Sequence, residues 1–257
     1  MSETPRDSMY VTALARGIEV LRCFTPERPE LGTSEIARLT GLPQPTVYRL
    51  CYTLSDLGCL MPGRSPDKLR VAPGVLSLGH AAVTHGGIAD LAHPMMNTLA
   101  NEFDASVSLG ARDRTSMVIV QRSEAPGIVN VNLHIGSALD LANSSLGWAW
   151  LAAINDEARK DALEPIKRVG GDRWRKAQNH VKIALSEYER GGFVLNLGKS
   201  HPDINAIGVP VISPSRIRVM ALTCGGVRTS MTRERLENDV APRLVSLAQQ
   251  LSLALGP

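Results

Sequence analysis

The sequence predicts an α+β chain of two domains, a small helical unit closed by a hairpin and a larger unit mixing strands with helices. Three observations carry this expectation. Apolar residues between positions 10 and 57 recur at spacings of three and four, the helical period, and the breaker-rich stretch CLMPGRSPDKLRV follows at once. Beyond position 105, short apolar runs alternate with helical patterns. The 257 residues, 44% hydrophobic and 21% charged, suffice for two cores without disulfide or metal staples.

The first helix is expected over residues 10–25, with Leu14, Ile18 and Leu21 on one face, and TPERPE ends it. Thr33 is placed to cap a short helix, Ser34–Thr40, that turns Ile36, Ala37 and Leu39 inward and stops at Gly41. Pro45 fits the first turn of a third helix, where its missing N–H costs nothing. Val47, Leu50, Leu54 and Leu57 form that helix's apolar face, and it ends at Gly58. Strands around Leu60 and Leu69 then flank a turn, and the first domain closes over residues 10–73. A linker helix is expected within residues 74–87, and residues 88–257 form the second domain.

That domain opens on a helix, Ile88–Phe103, with Leu91, Met95 and Leu99 on one face. SVSLGAR and SMVIVQRS read as a hairpin joined at Asp113-Arg114, and IVNVNLHIG as a half-exposed strand. Asn143–Ile154 reads as a capped apolar helix and Glu157–Val169 as a charged one. Strands follow at Phe193–Leu197, Ile204–Ile212 and Arg218–Cys224. The last helix, capped by Thr232, carries Leu236, Val240, Leu244, Leu247, Leu251 and Leu255 and is interrupted by Pro242.

The most specific motif lies between Ile36 and Leu57. Ala37 supplies a small residue where two helices cross, Gly41 the turn, and Val47 and Leu50 the seat of the second helix. Those residue types at those spacings are what a helix-turn-helix requires, and the hairpin makes it a winged one. On the second helix Gln44, Thr46, Tyr48, Arg49 and Tyr52 remain free of the core. Arg49 fits guanine or phosphate, Gln44 fits adenine, and Thr46 and Tyr48 reach phosphates or thymine methyls. Each, taken singly, is equally compatible with a solvated helix face. Net charge is only +3, from 28 basic and 25 acidic residues, and residues 1–85 hold nine and eight of them. Between Arg38 and Arg70, however, Arg38, Arg49, Arg64, Lys68 and Arg70 face only Asp56 and Asp67, the local excess that phosphates need. Arg64 and Lys68 on the hairpin, and Thr33 and Ser34 at a helix start, complete the expected contacts to double-stranded DNA.

Read together, LARGIEVLRCF, TSEIARLTGLPQPTVYRLCYTL and LGCLMPGRSPDKLRVAPGVLSLG resemble the winged helix-turn-helix of the IclR family of bacterial transcriptional regulators. HIGSALDLANSSLGWAWLAAI, ERGGFVLNLGKSHPDINAIGVPV and RVMALTCGG resemble its effector domain. The resemblance spans nearly the whole chain. It implies a GAF-like antiparallel sheet flanked by helices, small-molecule sensing, and assembly as a homodimer or dimer of dimers on a partly palindromic operator. Asp140 departs from the family's usual proline, Trp148 from a frequent lysine on the helix's exposed face, and Lys199 and Ser200 from an acidic and an aromatic residue.

A pocket follows from ANSSLG, which opens a helix. The N–H groups of Ser145 and Leu146 have no acceptor within it, and Asn143 and Ser144 add polar side chains, so a carboxylate is the natural guest. The alternative is that Asn143 and Ser144 only cap. The resemblance adds Asn196, Ala206, Thr223 and Gly225 beside Cys224, with His201, Asp203 and Asn205 on a covering loop; His201 is also readable as mere turn decoration. The low aromatic content, 4%, argues against a pocket built on stacking.

Composition and motifs argue against other classes. No run approaches the roughly 18 apolar residues of a membrane helix, and MSETPRDSMY lacks a signal-peptide core, so a cytoplasmic protein with no membrane partner is expected. The four cysteines form no CxxC pair and no zinc spacing with histidine, so reduced thiols, no metal and no cofactor are expected. HExxH, GxSxG and Walker loops are absent. Cys224 with His201-Pro202-Asp203 is the one set to weigh as a hydrolase, against a buried structural thiol in MALTC. The expected function is therefore a ligand-responsive repressor or activator of a catabolic operon, sensing a small organic acid. The competing class is an enzyme that uses its winged helix for protein contacts.

Overall fold

Apolar spacing of three and four does organise the first unit, although the buried face is rotated from the one expected. The computed structural model describes residues 9–84, 87–128 and 133–256 and divides into two units between Ala82 and Val83. In α1 (Thr12–Arg22), Gly17 and Val20 face the core, whereas Leu14 and Ile18 are 66% and 42% exposed. A strand not expected from the sequence, β1 (Glu30–Leu31), follows. α2 (Thr33–Thr40) takes Gly32 rather than Thr33 as its cap residue, because the Glu35 carboxylate reaches back to the Gly32 N–H at 2.7 Å. Leu39 is exposed, so Ile36 carries the buried face. The helix ends at Gly41 at φ 69°, as expected, and its N–H bonds the Ala37 carbonyl at 2.9 Å.

α3 (Gln44–Asp56) begins with Pro45 in its first turn and buries Val47, Cys51 and Leu54. Leu57 falls beyond the helix and is exposed; Cys51, one turn after Val47, takes the inward position instead. β2 (Leu60–Pro62) and β3 (Leu69–Val71) form the hairpin, and β1 adds to it in the antiparallel order β1-β3-β2. Val20, Ile36, Val47, Cys51 and Leu60 make the core of this unit. α4 (Gly74–Thr84) leads out of it.

The second unit is a six-stranded antiparallel sheet with helices on both faces. α5 (Ile88–Phe103) turns Ala92, Met96 and Leu99 inward, so Leu91 and not Leu99 is the expected residue left in solvent. The strands are β4 (Ser106–Asp113), β5 (Ser116–Glu124), β6 (Ala138–Asp140), β7 (Val194–Leu197), β8 (Ile204–Ile212) and β9 (Val219–Val227), in the order β6-β5-β4-β9-β8-β7. The β4–β5 hairpin turns at Arg114, φ 55°. Of the strand expected in IVNVNLHIG, residues 129–132 lie outside the described residues; Ile128 and residues 133–136 are not strand.

α6 (Ser145–Ala153) starts where expected. α7 (Asp156–Gly191) runs 22 residues past the expected Val169, broken at Gly171 where φ is 46° and ψ −125°. At the C-terminus, α8 (Arg233–Arg235) is capped by the Thr232 hydroxyl, which accepts the Arg235 N–H at 3.2 Å. A π-turn, Leu236–Val240, then leads into α9 (Ala241–Ala254). The wide turn resolves the problem posed by Pro242, whose ring would clash with the carbonyl of a regular preceding turn. Alternation along the strands sorts the core into two layers. Val107, Leu109, Ile207, Leu222 and Cys224 pack against α5 and α9, while Met117, Ile119, Val194 and Ala221 pack against α6 and α7.

One irregularity matters for function. The β4–β5 register shifts between Leu109 and Gly110, so that Leu109 faces Gln121 but Gly110 faces Ile119. Val120 is the extra residue of a β-bulge, and the bulge reverses which residues of β5 point to which face. Met117 and Ile119 face α6, and beyond the bulge it is Arg122 and Glu124 that share this face, while Gln121 and Ser123 turn to α5 and bond Ala89 and His93.

Candidate functional site

Two surfaces concentrate the expected functional residues, one in each unit. In the first, the buried stripe Val47, Cys51, Leu54 fixes which side of α3 faces out. Gln44, Tyr48 and Tyr52 lie at successive i, i+4 positions on that side, with Arg49 beside them; Tyr48 is 63% and Tyr52 70% exposed, and Thr46 is half-buried. The turn before α3 is held by the Thr40 hydroxyl, which donates to the Ile36 carbonyl at 2.8 Å and accepts the Leu42 N–H at 3.3 Å. A rigid helix presenting aromatic, amide and guanidinium groups is what a major groove admits.

The hairpin cations are not equivalent. The Arg64 side chain is 95% exposed, its Nε 4.0 Å from the Glu30 carboxylate, which also accepts its backbone N–H at 3.1 Å. Lys68 is bonded to the Glu35 carboxylate. That carboxylate also accepts the Gly32 N–H, and these two bonds, the lysine's first, hold its pKa below the ordinary carboxylate value. The start of α2, with Thr33 and Ser34, therefore already holds an anion of its own. Counting charge from Arg38 onward overlooks Glu30 and Glu35, which the strand β1 and the helix α2 bring against the hairpin.

In the second unit a cavity of about 260 Å³ opens between the N-terminus of α6 and the sheet. Its floor comes from two cross-strand rows on one face: Arg122, Ser108 and Thr223 in one, which continues to Gly208 beneath α6, and Ser106, Gly225, Ala206 and Asn196 in the next. α6 lies close above because two strand glycines permit it. A Cβ on Gly208 would stand 2.6 Å from the Ser145 carbonyl oxygen, and one on Gly110 would stand 3.0 Å from Leu146. At the helix start, Ser144 Oγ accepts the Gly147 N–H at 3.1 Å and donates to the Asp140 carbonyl at 2.7 Å. The Ser144 carbonyl takes the Trp148 N–H. The N–H groups of Ser145 and Leu146, in the first turn, have no carbonyl one turn back to bond.

Of the residues expected here, Ser144, Ser145, Leu146, Asn196, His201, Ala206, Thr223 and Gly225 line the cavity. Asn143, Asp203 and Cys224 do not. Asn143 faces α7, its side chain 3.2 Å from His180 Nδ1, and its carbonyl takes the Ser200 hydroxyl at 2.5 Å. Asp203 is exposed, and its N–H points at His201 Nδ1. Cys224 falls between Thr223 and Gly225 and so points into the opposite layer; burial pushes its thiol up to about 12. That separation dissolves the Cys-His-Asp set. Asn205 is buried and spends its amide on the Met231 carbonyl at 2.8 Å rather than covering the pocket.

Sequence reasoning missed Ser106, Ser108, Arg122 and Ser200, and an apolar wall that includes Ile128, Leu133, Leu139 and Ile204. Ser200 ties the loop after β7 to the start of α6, since it also receives the Asn196 amide. Trp148 corrects a further expectation: it is 2% exposed, donates Nε1–H to the Ala142 carbonyl at 2.8 Å and meets the His180 ring edge-on at 5.9 Å. His180 is correspondingly lowered in pKa, first by desolvation and then by Lys199. Asp140 caps the segment before α6 by accepting the Ala142 N–H at 2.7 Å. Among the described residues no cluster of His, Cys, Asp or Glu is arranged to hold a metal, and no helix is long and apolar enough to cross a membrane.

Comparison with known proteins matches both units to one family. Residues 13–61 match the IclR helix-turn-helix domain, and residues 80–253 match the C-terminal domain of bacterial transcriptional regulators of the IclR type. An IclR family transcriptional regulator from Brucella abortus is 39% identical, covers 99% of this chain and 96% of its own, and superposes with a TM-score of 0.91. The HTH-type transcriptional regulator TsaQ1/TsaQ2 of Comamonas testosteroni is 30% identical over 243 residues, 94% of this chain and 87% of that protein. An IclR homolog from Microbacterium hydrocarbonoxydans, crystallised with 4-hydroxybenzoate, shares the fold at 22% identity and a TM-score of 0.69, over 95% of this chain and 97% of its own.

Proposed function

Because the chain belongs to the IclR family of bacterial transcriptional regulators, and is thus a DNA-binding regulator and not an enzyme, we propose that it senses a small carboxylic acid and adjusts a catabolic operon accordingly. The observation that carries this reading is that Ser145 and Leu146, whose N–H groups open α6 with no partner inside the helix, line a cavity of about 260 Å³. The helix dipole adds to their preference for an anion. Apolar side chains on one wall and hydroxyls on the other suit an acid with a hydrocarbon body. In the Microbacterium neighbour the recorded ligand, 4-hydroxybenzoate, is of that kind.

On the DNA side, Gln44, Tyr48 and Arg49 read base edges, with Thr46, Arg64 and the hydroxyls of Thr33 and Ser34 at phosphates, the helix start itself being taken by the Glu35 carboxylate. Lys68 joins them only by leaving Glu35. Two copies of the chain place two recognition helices in successive major grooves, about 34 Å apart, of a partly palindromic operator. The acid shifts operator affinity by its differential affinity for two arrangements of the dimer, typically about 1–3 kcal/mol.

The experiment is binding of the purified protein to DNA upstream of its own gene at two salt concentrations, in the wild type and in Ser145→Leu. Wild-type affinity is expected to fall steeply with salt. Ser145→Leu is expected to keep DNA binding and lose the response to acids. Salt-independent binding removes the operator reading, and an unchanged acid response moves the pocket.

A further inference from the structure

One cavity-lining arginine, Arg122, and the carboxylate it pairs with are not used by the carboxylate site at α6. The Arg122 side chain is only 7% exposed, and its partner Glu124 comes from two residues further along the same strand. Arg122 donates Nε–H and Nη2–H to one oxygen of Glu124, at 2.8 and 2.5 Å, and Nη1–H to Ser108 Oγ at 2.7 Å. The guanidinium charge is thereby cancelled where it arises. Since Ser108 Oγ already accepts from Arg122, its own O–H is left to donate. Ser106, the neighbour on β4, has the opposite polarity: its hydroxyl donates to the Gly225 carbonyl at 3.2 Å and its lone pairs remain to accept. Among the described residues this wall thus offers one donor and one acceptor and no net charge. Among the described lining residues only Arg122 and His201 are titratable, and His201 sits exposed at the rim.

We propose that Arg122 and Glu124 are the specificity-determining pair of the pocket. They keep the β4–β5 wall neutral and hydrogen-bonding, so that the pocket takes a monocarboxylate bearing a hydroxyl at its far end and rejects a dicarboxylate of the same length. The inference rests on the reading of the α6 N-terminus as the carboxylate site. A second carboxylate at the far wall meets a guanidinium that is already paired, close to the Glu124 charge, and is left without a counterion away from water. Ser108 lies two strands from Gly208, beneath Ser145, so the two polar ends stand about 10 Å apart. With a hydrogen bond of about 2.8 Å at each end, about 4–5 Å remains between the ligand's terminal oxygens, the reach of a chain of about four carbons or, with bent hydrogen bonds, of a para-substituted ring.

The test is calorimetric titration of the full chain with two matched sets of acids. One set is butanoate, 4-hydroxybutanoate and succinate; the other is benzoate, 4-hydroxybenzoate and terephthalate. In at least one set the hydroxy acid is expected to bind about tenfold or more tighter than both the plain acid and the diacid. Glu124→Gln uncovers the arginine charge, and the diacid is then expected to gain about tenfold or more while the plain acid stays within about threefold. In Glu124→Gln with Arg122→Met the diacid gain is expected to vanish, which separates charge from repacking. Arg122→Met alone reads the same pair without Glu124→Gln: the preference for the hydroxy acid disappears and plain-acid affinity persists. A wild-type protein that binds acids but ranks diacid with hydroxy acid, or a Glu124→Gln protein with unchanged ranking, overturns the assignment of the pair alone. If none of the six acids binds, the carboxylate site at α6 falls with it.

Discussion

Replacing Gly147 by alanine sets two physical effects against each other at the mouth of the pocket. Alanine is the better helix former, and helical propensity alone predicts that Gly147→Ala stabilises by about 0.8–1 kcal/mol. The structure predicts the reverse. A Cβ at this position stands 2.0 Å from the Leu141 carbonyl oxygen, 2.6 Å from its carbonyl carbon and 2.8 Å from its Cα. These are backbone atoms of a segment pinned by Asp140 at Ala142 and by the Trp148 indole at the Ala142 carbonyl. Reaching ordinary van der Waals contact requires α6 and that segment to part by about 1.4 Å. Such overpacking costs about 1–3 kcal/mol, and disrupting the Ser144 cap on the Gly147 N–H adds about 1 kcal/mol. After the propensity gain, the net is a destabilisation of about 1–3 kcal/mol. For a domain of this size that lowers Tm by about 2–12 °C. Differential scanning calorimetry of the full chain reads it, with loss of acid binding as a second signal, since the Ser145 and Leu146 N–H groups move with the helix. An unchanged or raised Tm refutes the close approach of Leu141 to α6 and with it the pocket geometry.

Arg49→Ala is expected to weaken operator binding by about 1–3 kcal/mol if Arg49 reads a base, seen as a lost footprint at one position of each half-site; a wild-type footprint removes it from the contact set. Glu35→Gln releases Lys68, and the salt dependence of DNA binding is expected to steepen by about one counterion; an unchanged slope means that Lys68 never reaches phosphate. The same carboxylate has a lowered folded-state pKa. Its stabilising contribution is therefore present above its unfolded value of about 4.3 and is lost as pH falls through the lower folded value, so the stability difference between wild type and Glu35→Gln is expected to shrink on acidification below about pH 4. Cys51 and Cys224, raised to about 11 and about 12, are expected to resist alkylation of the native protein at pH 8, where less than about one thiol in a thousand is ionised; rapid native-state labelling of Cys224 by mass spectrometry contradicts its burial.

The helix-turn-helix was legible because its constraints are local. Gly41 at positive φ, Pro45 in a first turn and the stripe at Val47 and Leu54 are decided within a few residues of chain. The α6 end was legible for the same reason, since Ser144 caps from three residues away. What the sequence concealed is set across long separations. Glu35 neutralises Lys68 from 33 residues away, so a tally of charge along the chain overstated the positive field of the hairpin. Arg122 was missed because SMVIVQRS keeps its period of buried residues through Met117, Ile119, Gln121 and Ser123 while the bulge at Val120 exchanges the faces. An unbroken alternation puts Arg122 opposite Ile119; the structure puts both on the side of the pocket. Cys224 erred the other way, by adjacency, since neighbours along a strand point to opposite layers. Trp148 shows how far context governs exposure: beside α7 and His180, a position expected in solvent is a core position.

The central claim, that one chain couples a small acid at α6 to operator affinity, is tested most directly by one titration. The complex with DNA from upstream of the gene is followed by fluorescence anisotropy as the tightest-binding of the six acids is added to saturation. The account predicts a change in operator affinity of about 5- to 150-fold, in either direction. An acid that saturates the pocket and leaves the DNA isotherm unmoved contradicts it.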